Sequence, residues 1–302
     1  MFKRNLLIIL SLLIITIFSG SFIMDSKVYT LNTNESNNIS AENSDTDDEI
    51  KDNSYNNTDT EDEFNYSKNY NDNSSITLVN DNRGIPVLYY HSVNDSVDNE
   101  VTISPSLLKK ELEYIKNQGY TTLSLKEVEN YILTNQPIPE KSILITFDDG
   151  YMDNYYNAYP ILKELNMKAT IFCITSELDG SYYLSEDAIK EMSKNNIDIE
   201  SHTLNHPHLN SLTYDEQLKE LTESKAKLEN ITGNKITAIA FPFGDYNEDS
   251  IKAAKNSGYT LAFTTNKGFA SRDNNPLELD RIYVSSYYDM DTFISNLEKT
   301  QK

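Results

Sequence analysis

From residue 84 onward, short apolar runs alternate with stretches whose apolar positions recur every three or four residues. IPVLYY (85–90), SILITF (142–147), ATIFCI (169–174), IDIES (197–201), ITAIA (236–240), TLAFTT (260–265) and RIYV (281–284) read as strands. SILITF is continuously apolar, as expected for a strand covered on both faces. The stretches between them read as helices. SPSLLKKELEYIKNQGY (104–120) has Ser104 as its cap, Pro105 in its first turn and Gly119 near its stop. SLKEVENYI (124–132) opens with Ser124 and Glu127, a capping-box spacing. Further helices are predicted within 154–166, 185–196, 213–233, 247–259 and 289–300. Strand-then-helix order, repeated about seven times in a little over 200 residues, predicts an α/β fold with a parallel sheet closed into a barrel.

The rest of the chain has a different character. Lys3 and Arg4 precede an apolar core from Leu6 to Phe18, the pattern of an export signal. Asn5 to Met24 is long enough to span a bilayer, and no A-x-A cleavage site follows. Residues 1–24 are thus a signal peptide or a membrane anchor with the remainder outside the cytoplasm. Residues 25–83 hold 14 Asp or Glu against 4 Lys or Arg, nearly half of the net charge of -21, with few apolar anchors. That composition predicts a disordered acidic linker. The folded catalytic part is expected at 84–302. The acidic balance argues against nucleic acid as a partner. The lone Cys173, inside ATIFCI, has no internal partner for a disulfide and reads as a buried thiol.

Chemistry gathers where strands end. TFDDG (146–150) closes one strand with Asp148 and Asp149, SHTLNHPHL (201–209) follows another, FPFG (241–244) a third and His91 a fourth. His202 and His206, at i and i+4, would share a face on a helical turn and bind one metal ion. Two histidines and one aspartate leave an open position, as in catalytic zinc sites. Zinc is the first candidate, with cobalt, nickel or iron also suited to these ligands. Neighbouring residues at a strand end point in different directions, so one carboxylate can bind metal while the other stays free as a base.

TFDDG, SHTLNHP and FPFG, in this order and spacing, resemble the NodB-homology polysaccharide deacetylases, carbohydrate esterase family 4, over about residues 84–300. The resemblance implies a deformed (β/α) barrel and metal-dependent removal of acetyl groups from sugars. It implies Asp148 as general base and Asp149, His202 and His206 as metal ligands. Pro242, Phe243 and Gly244 would line the groove, with the Phe243 N–H at the oxyanion. Many relatives carry an arginine two residues before the proline of the third motif, where this chain has Ala240, and a catalytic histidine near the C-terminus, where this chain has none. PVLYYHSV (86–93) resembles the opening of the permuted subgroup that acts on poly-N-acetylglucosamine, in which the first strand supplies that histidine. His91 would then be the general acid, and Arg281 the replacement for the missing arginine. His208 falls outside the ligand pattern and reads as a wall or surface residue.

The reading this supports is an anchored N-deacetylase of N-acetylated cell-surface polysaccharide, with peptidoglycan ahead of poly-N-acetylglucosamine because a membrane tether suits the wall. A catalytically dead glycan-binding module is the alternative of another class. The presence of a base, three ligands and an acid argues against it.

Overall fold

Seven parallel strands close on themselves in chain order. They are β1 (Val87–Tyr90), β2 (Ser142–Phe147), β3 (Ala169–Cys173), β4 (Ile197–Ser201), β5 (Ala238–Ala240), β6 (Leu261–Lys267) and β7 (Leu279–Tyr283). Each pairs with the next, and β1 pairs with both β2 and β7 to complete the ring. The computed structural model describes residues 76–96 and 98–299 of the chain. The predicted export segment and most of the linker, residues 1–75, lie outside them.

Strand alternation decides what the barrel holds. Val87, Leu144, Phe172, Ala238, Leu261, Phe263 and Leu279 belong to one apolar cluster inside the ring. Leu88, Ile143, Ile145, Ile171, Ile199 and Ala262, which alternate with them, belong to a second cluster beneath the helices. Fully burying each such aliphatic or aromatic side chain contributes about 1.5–3 kcal/mol. The same alternation extends past the strand ends. His91 continues the inward series of Val87 and Tyr89, and Asp148 that of Leu144 and Thr146. His202 follows Asp198 and Glu200, and Arg281 follows Leu279. Period two thus aims four of the candidate site side chains at the barrel axis, toward its C-terminal end.

Helices α1 (Pro105–Asn117), α2 (Leu125–Thr134), α3 (Tyr159–Leu165), α4 (Glu186–Met192), α5 (Tyr214–Thr232), α6 (Glu248–Asn256) and α7 (Met290–Lys299) are the other elements of the pattern. The predicted caps form: Ser104 accepts from Leu107 N, and Ser124 and Glu127 make a reciprocal box. Helix α2 packs Leu125, Val128 and Tyr131 against the interior cluster, and the Leu125 N–H donates to the inward Asp198 at 2.7 Å.

The expected boundary at residue 84 needs correction. Leu78–Val79 pairs antiparallel with Ile138–Pro139. The Tyr131 hydroxyl donates to the carbonyls of Asp81 and Arg83, and Arg272 donates to that of Asn80. Residues 76–83 therefore belong to the domain. Their backbone finds partners that composition alone did not reveal. Among the described residues no helix is long and apolar enough to cross a membrane.

Candidate active site

The two neighbouring aspartates have different surroundings. The Asp148 N–H continues the β1–β2 ladder by donating to the Tyr90 carbonyl at 2.9 Å. The chain then turns through two left-handed residues, Asp149 (φ 70°) and Gly150 (φ 74°). A side chain at 150 would stand 3.0 Å from the Cys173 sulfur and 3.2 Å from its Cα, so glycine is required for space as well as for φ. Asp148 receives both arms of the Arg281 guanidinium, Nη1 to Oδ1 and Nη2 to Oδ2, each at 2.8 Å. Arg281 is fully enclosed. Its Nε donates to the Thr264 carbonyl at 2.9 Å, where the β6–β7 register slips, and its plane lies 4.2 Å from the centre of the Tyr89 ring. Burial pushes the Asp148 carboxyl up, but the facing Arg281 guanidinium together with His202 and His91 outweighs it and holds the group below its ordinary value.

Asp149 points instead at the histidines. Its Oδ1 lies 3.3 Å from Nε2 of His202 and 3.3 Å from Nε2 of His206. Both contacts are long for a hydrogen bond, and Oδ1 is enclosed without a close one. His202 Nδ1 sits 2.8 Å from the Ala240 carbonyl, which fixes the proton there and leaves the Nε2 lone pair facing Asp149.

The histidine pair is not brought together by a helical turn, as the spacing predicted. Residues 202–208 form an irregular loop with left-handed Thr203 (φ 70°) and His206 (φ 56°). The His206 N–H donates to the Thr203 hydroxyl at 2.9 Å. Glu220, from α5, accepts from both the backbone and the side chain of Asn205. These side-chain bonds hold a backbone that glycine would otherwise be needed for.

One ligand atom from each of Asp149, His202 and His206 lies within 4.8 Å of the others. Three convergent donors, one an orphaned buried oxygen and another an imidazole with its lone pair turned inward, fit a divalent metal ion. The local field agrees. Burial raises the Asp149 pKa, but the two imidazoles bring it far below the carboxylate range. Burial lowers that of His202, but the two carboxylates carry it above its ordinary value. This is a cluster that attracts positive charge.

The remaining predicted residues frame this centre. His91 follows β1. Its Nδ1 is enclosed without a partner, and its ring lies edge-on to Tyr283 at 6.4 Å. Burial lowers the His91 pKa, opposed by Asp148 and Asp149. Pro242 to Gly244 form a single tight turn with Phe243 at φ 59°. The Phe243 ring is exposed and packs between His206 at 4.4 Å and His208 at 4.1 Å. A side chain on Gly244 would run into Thr265. His208 Nδ1 meets Asp245 at 2.6 Å, outside the cluster.

Sequence reasoning did not single out the polar residues just after the doublet. Asp153, Asn154 and Asn157 all bond to the segment carrying His91. Their only signal was three short polar side chains, interrupted by Tyr155 and Tyr156, where a helix with a buried face begins.

Comparison with known proteins agrees with this geometry. A family model described as polysaccharide deacetylase matches residues 135–262. The protein YxkH of Bacillus subtilis (strain 168) is 40% identical over 201 residues, covering 67% of this chain and 71% of YxkH. A poly-beta-1,6-N-acetyl-D-glucosamine N-deacetylase of Staphylococcus aureus (strain MSSA476) is 27% identical over 212 residues, covering 66% of this chain and 72% of the relative. Among solved structures, the Streptococcus pyogenes deacetylase PplD in complex with acetate superposes with a TM-score of 0.68 at 33% identity, covering 73% of this chain and 99% of PplD. BC0361, a polysaccharide deacetylase from Bacillus cereus, gives 0.64 at 30% identity, covering 72% of this chain and 70% of BC0361. The chain therefore belongs to the polysaccharide deacetylases, hydrolases that cleave N-acetyl amide bonds on a NodB-type (β/α) barrel.

Proposed function

We propose that the protein removes acetyl groups from N-acetylglucosamine residues of peptidoglycan, outside the cytoplasm, with its N-terminal segment as membrane anchor and its acidic linker as tether. The observation that carries the chemistry is the doublet itself. One carboxylate is bound on both oxygens by Arg281, and the other turns a buried oxygen that has no hydrogen bond toward two imidazoles. Asp149, His202 and His206 would hold a divalent ion, zinc first, which when bound supplies a Lewis acid for the acetyl carbonyl and for water.

The chain's own residues do the rest. Asp148 takes the proton from the attacking water. Arg281 keeps that carboxylate ionised and fixes its plane through a rigid two-point fork. The Phe243 N–H faces the oxyanion that forms on the substrate carbonyl. His91, across the mouth, gives a proton to the departing sugar amine, which leaves poorly without one. A single acid or base of this kind contributes about 10²–10⁴-fold.

A second polymer, poly-N-acetylglucosamine, is favoured by one specific finding: the Staphylococcus aureus relative is named for it. The test is acetate release by the full chain from purified peptidoglycan and from poly-N-acetylglucosamine in parallel, with and without a chelator. The proposal expects chelator-sensitive release, faster from peptidoglycan. Faster release from poly-N-acetylglucosamine would transfer the substrate assignment. No release from either would overturn the N-acetylglucosamine reading.

A further inference from the structure

Beyond the metal cluster, the densest polar network near the mouth ties the doublet's own helix to the end of β1. A five-residue π-helical stretch, Asn154–Ala158, runs directly into α3. Wide turns of this kind are uncommon and gather at functional sites. From here three side chains reach one short segment. The Asn154 amide nitrogen donates to the His91 carbonyl at 2.8 Å. Asp153 accepts from the Ser92 hydroxyl at 2.6 Å and from the Val93 N–H at 3.0 Å. Asn157 donates to the Val93 carbonyl at 2.7 Å. Residues 91, 92 and 93 are therefore each gripped by residues 153, 154 and 157, on the helical segment that follows Asp148 and Asp149.

Packing alone does not account for an asparagine at 154. It is fully enclosed, and its Oδ1 has no hydrogen-bond partner. A buried amide with half of its capacity unused is costly, and an apolar residue would fill the space without that cost. What the Asn154 amide nitrogen does make is a 2.8 Å bond to the carbonyl of His91, whose Nδ1 is likewise enclosed and unpartnered, and a longer one, 3.2 Å, to the neighbouring Asp153 Oδ1.

We infer that Asn154 is the positioning residue of the general acid. By holding the His91 carbonyl it fixes the backbone from which the imidazole projects. Because Asn154 lies on the same continuous piece as Asp148 and Asp149, acid, base and metal ligand are set in one register. This rests on the reading of His91 as the acid, and the experiment separates the two.

The acid matters in proportion to how badly the leaving group needs a proton. An N-acetylglucosamine oligomer releases an amine and needs one, whereas an aryl acetate releases a phenolate and does not. The full chain, loaded with zinc, is assayed on both substrates as wild type, His91→Ala, Asn154→Ala and the double variant, with zinc content and thermal unfolding measured alongside.

The expected result is a loss of about 10²-fold or more on the oligomer for His91→Ala and for Asn154→Ala. Aryl acetate turnover should change less than about threefold. The double variant should be no slower on the oligomer than His91→Ala, because residues that act as a unit do not add. If His91→Ala slows both substrates equally, the acid reading fails, and this inference with it. If His91→Ala is selective but zinc-loaded, folded Asn154→Ala is not, only the inference fails. Additive losses in the double variant would also overturn it. Should Asn154→Ala not fold, Asn154→Ser is read by the same ratio.

Discussion

Asp148 and Asp149 are adjacent, both buried, and at the end of the same strand, yet their environments are opposite. Asp148 has a fully enclosed cation on both oxygens. Asp149 has an enclosed oxygen with no hydrogen bond and two imidazole nitrogens 3.3 Å away. A charge removed from water must be matched nearby, or the fold bears the cost. At Asp148 the chain supplies the match. At Asp149 it supplies two more donor atoms instead, which calls for a cation from outside. On the proposed reading the difference separates a base from a metal ligand, and it arises from one left-handed residue that turns the second side chain away from the first.

The strongest way to break the contrast is to remove a neutral ligand. His202→Ala should lose the bound metal and, with it, on the order of 10³-fold or more in acetate release. Elemental analysis of the purified variant checks the first part, and retained stoichiometric zinc would contradict the ligand assignment.

A smaller effect is expected from Arg281→Lys. Lysine keeps the positive charge but not the two-point fork, and leaves the Thr264 carbonyl without its donor. Metal content should stay near that of wild type while the rate falls about 10–100-fold and the unfolding temperature drops. An unchanged rate would show that Arg281 only packs the barrel.

A third carboxylate sharpens the comparison by having neither cation nor metal. Glu111, on α1, is fully enclosed and has one partner, the Tyr90 hydroxyl at 3.1 Å. Burial raises its pKa from 4.5 to about 8. The folded protein thus holds a proton there that the unfolded chain gives up above about 4.5. The stability of the protonated form is fully present below pH 4.5 and is lost as pH rises toward 8. Glu111→Gln should unfold at nearly the same temperature as wild type at pH 5 and at a higher one at pH 8. Equal unfolding temperatures at pH 8 would contradict the linkage.

Much of this was legible in the chain. Strand-then-helix order gave the closed parallel barrel, because two-sided burial writes itself as continuous apolar runs such as SILITF. The doublet and the histidine pair stood out because charged and metal-binding side chains at strand ends have no packing role. Arg281 could be named because the resemblance calls for an arginine absent at Ala240 and this one opens a late apolar run, although its pairing with Asp148 is a contact between residues 133 positions apart. Three things were hidden. The spacing of His202 and His206 predicts a helical turn where the chain forms a loop, since left-handed Thr203 and His206 carry no glycine to announce them. Their conformation is held by the Thr203 hydroxyl and Glu220, which periodicity does not register. Asn154 looked like an ordinary helix residue, because its partner is a backbone carbonyl 63 positions away. Residues 76–83 read as linker because only their backbone and a few polar groups dock, and composition does not record that.

The most direct test of the division between the two aspartates is metal stoichiometry in two isosteric neighbours, Asp148→Asn and Asp149→Asn, loaded with zinc side by side and assayed for acetate release. The account predicts that Asp148→Asn keeps about as much zinc as wild type while losing about 10²–10⁴-fold in rate, and that Asp149→Asn loses both. Zinc retained in Asp149→Asn, or lost equally from the two, would contradict it.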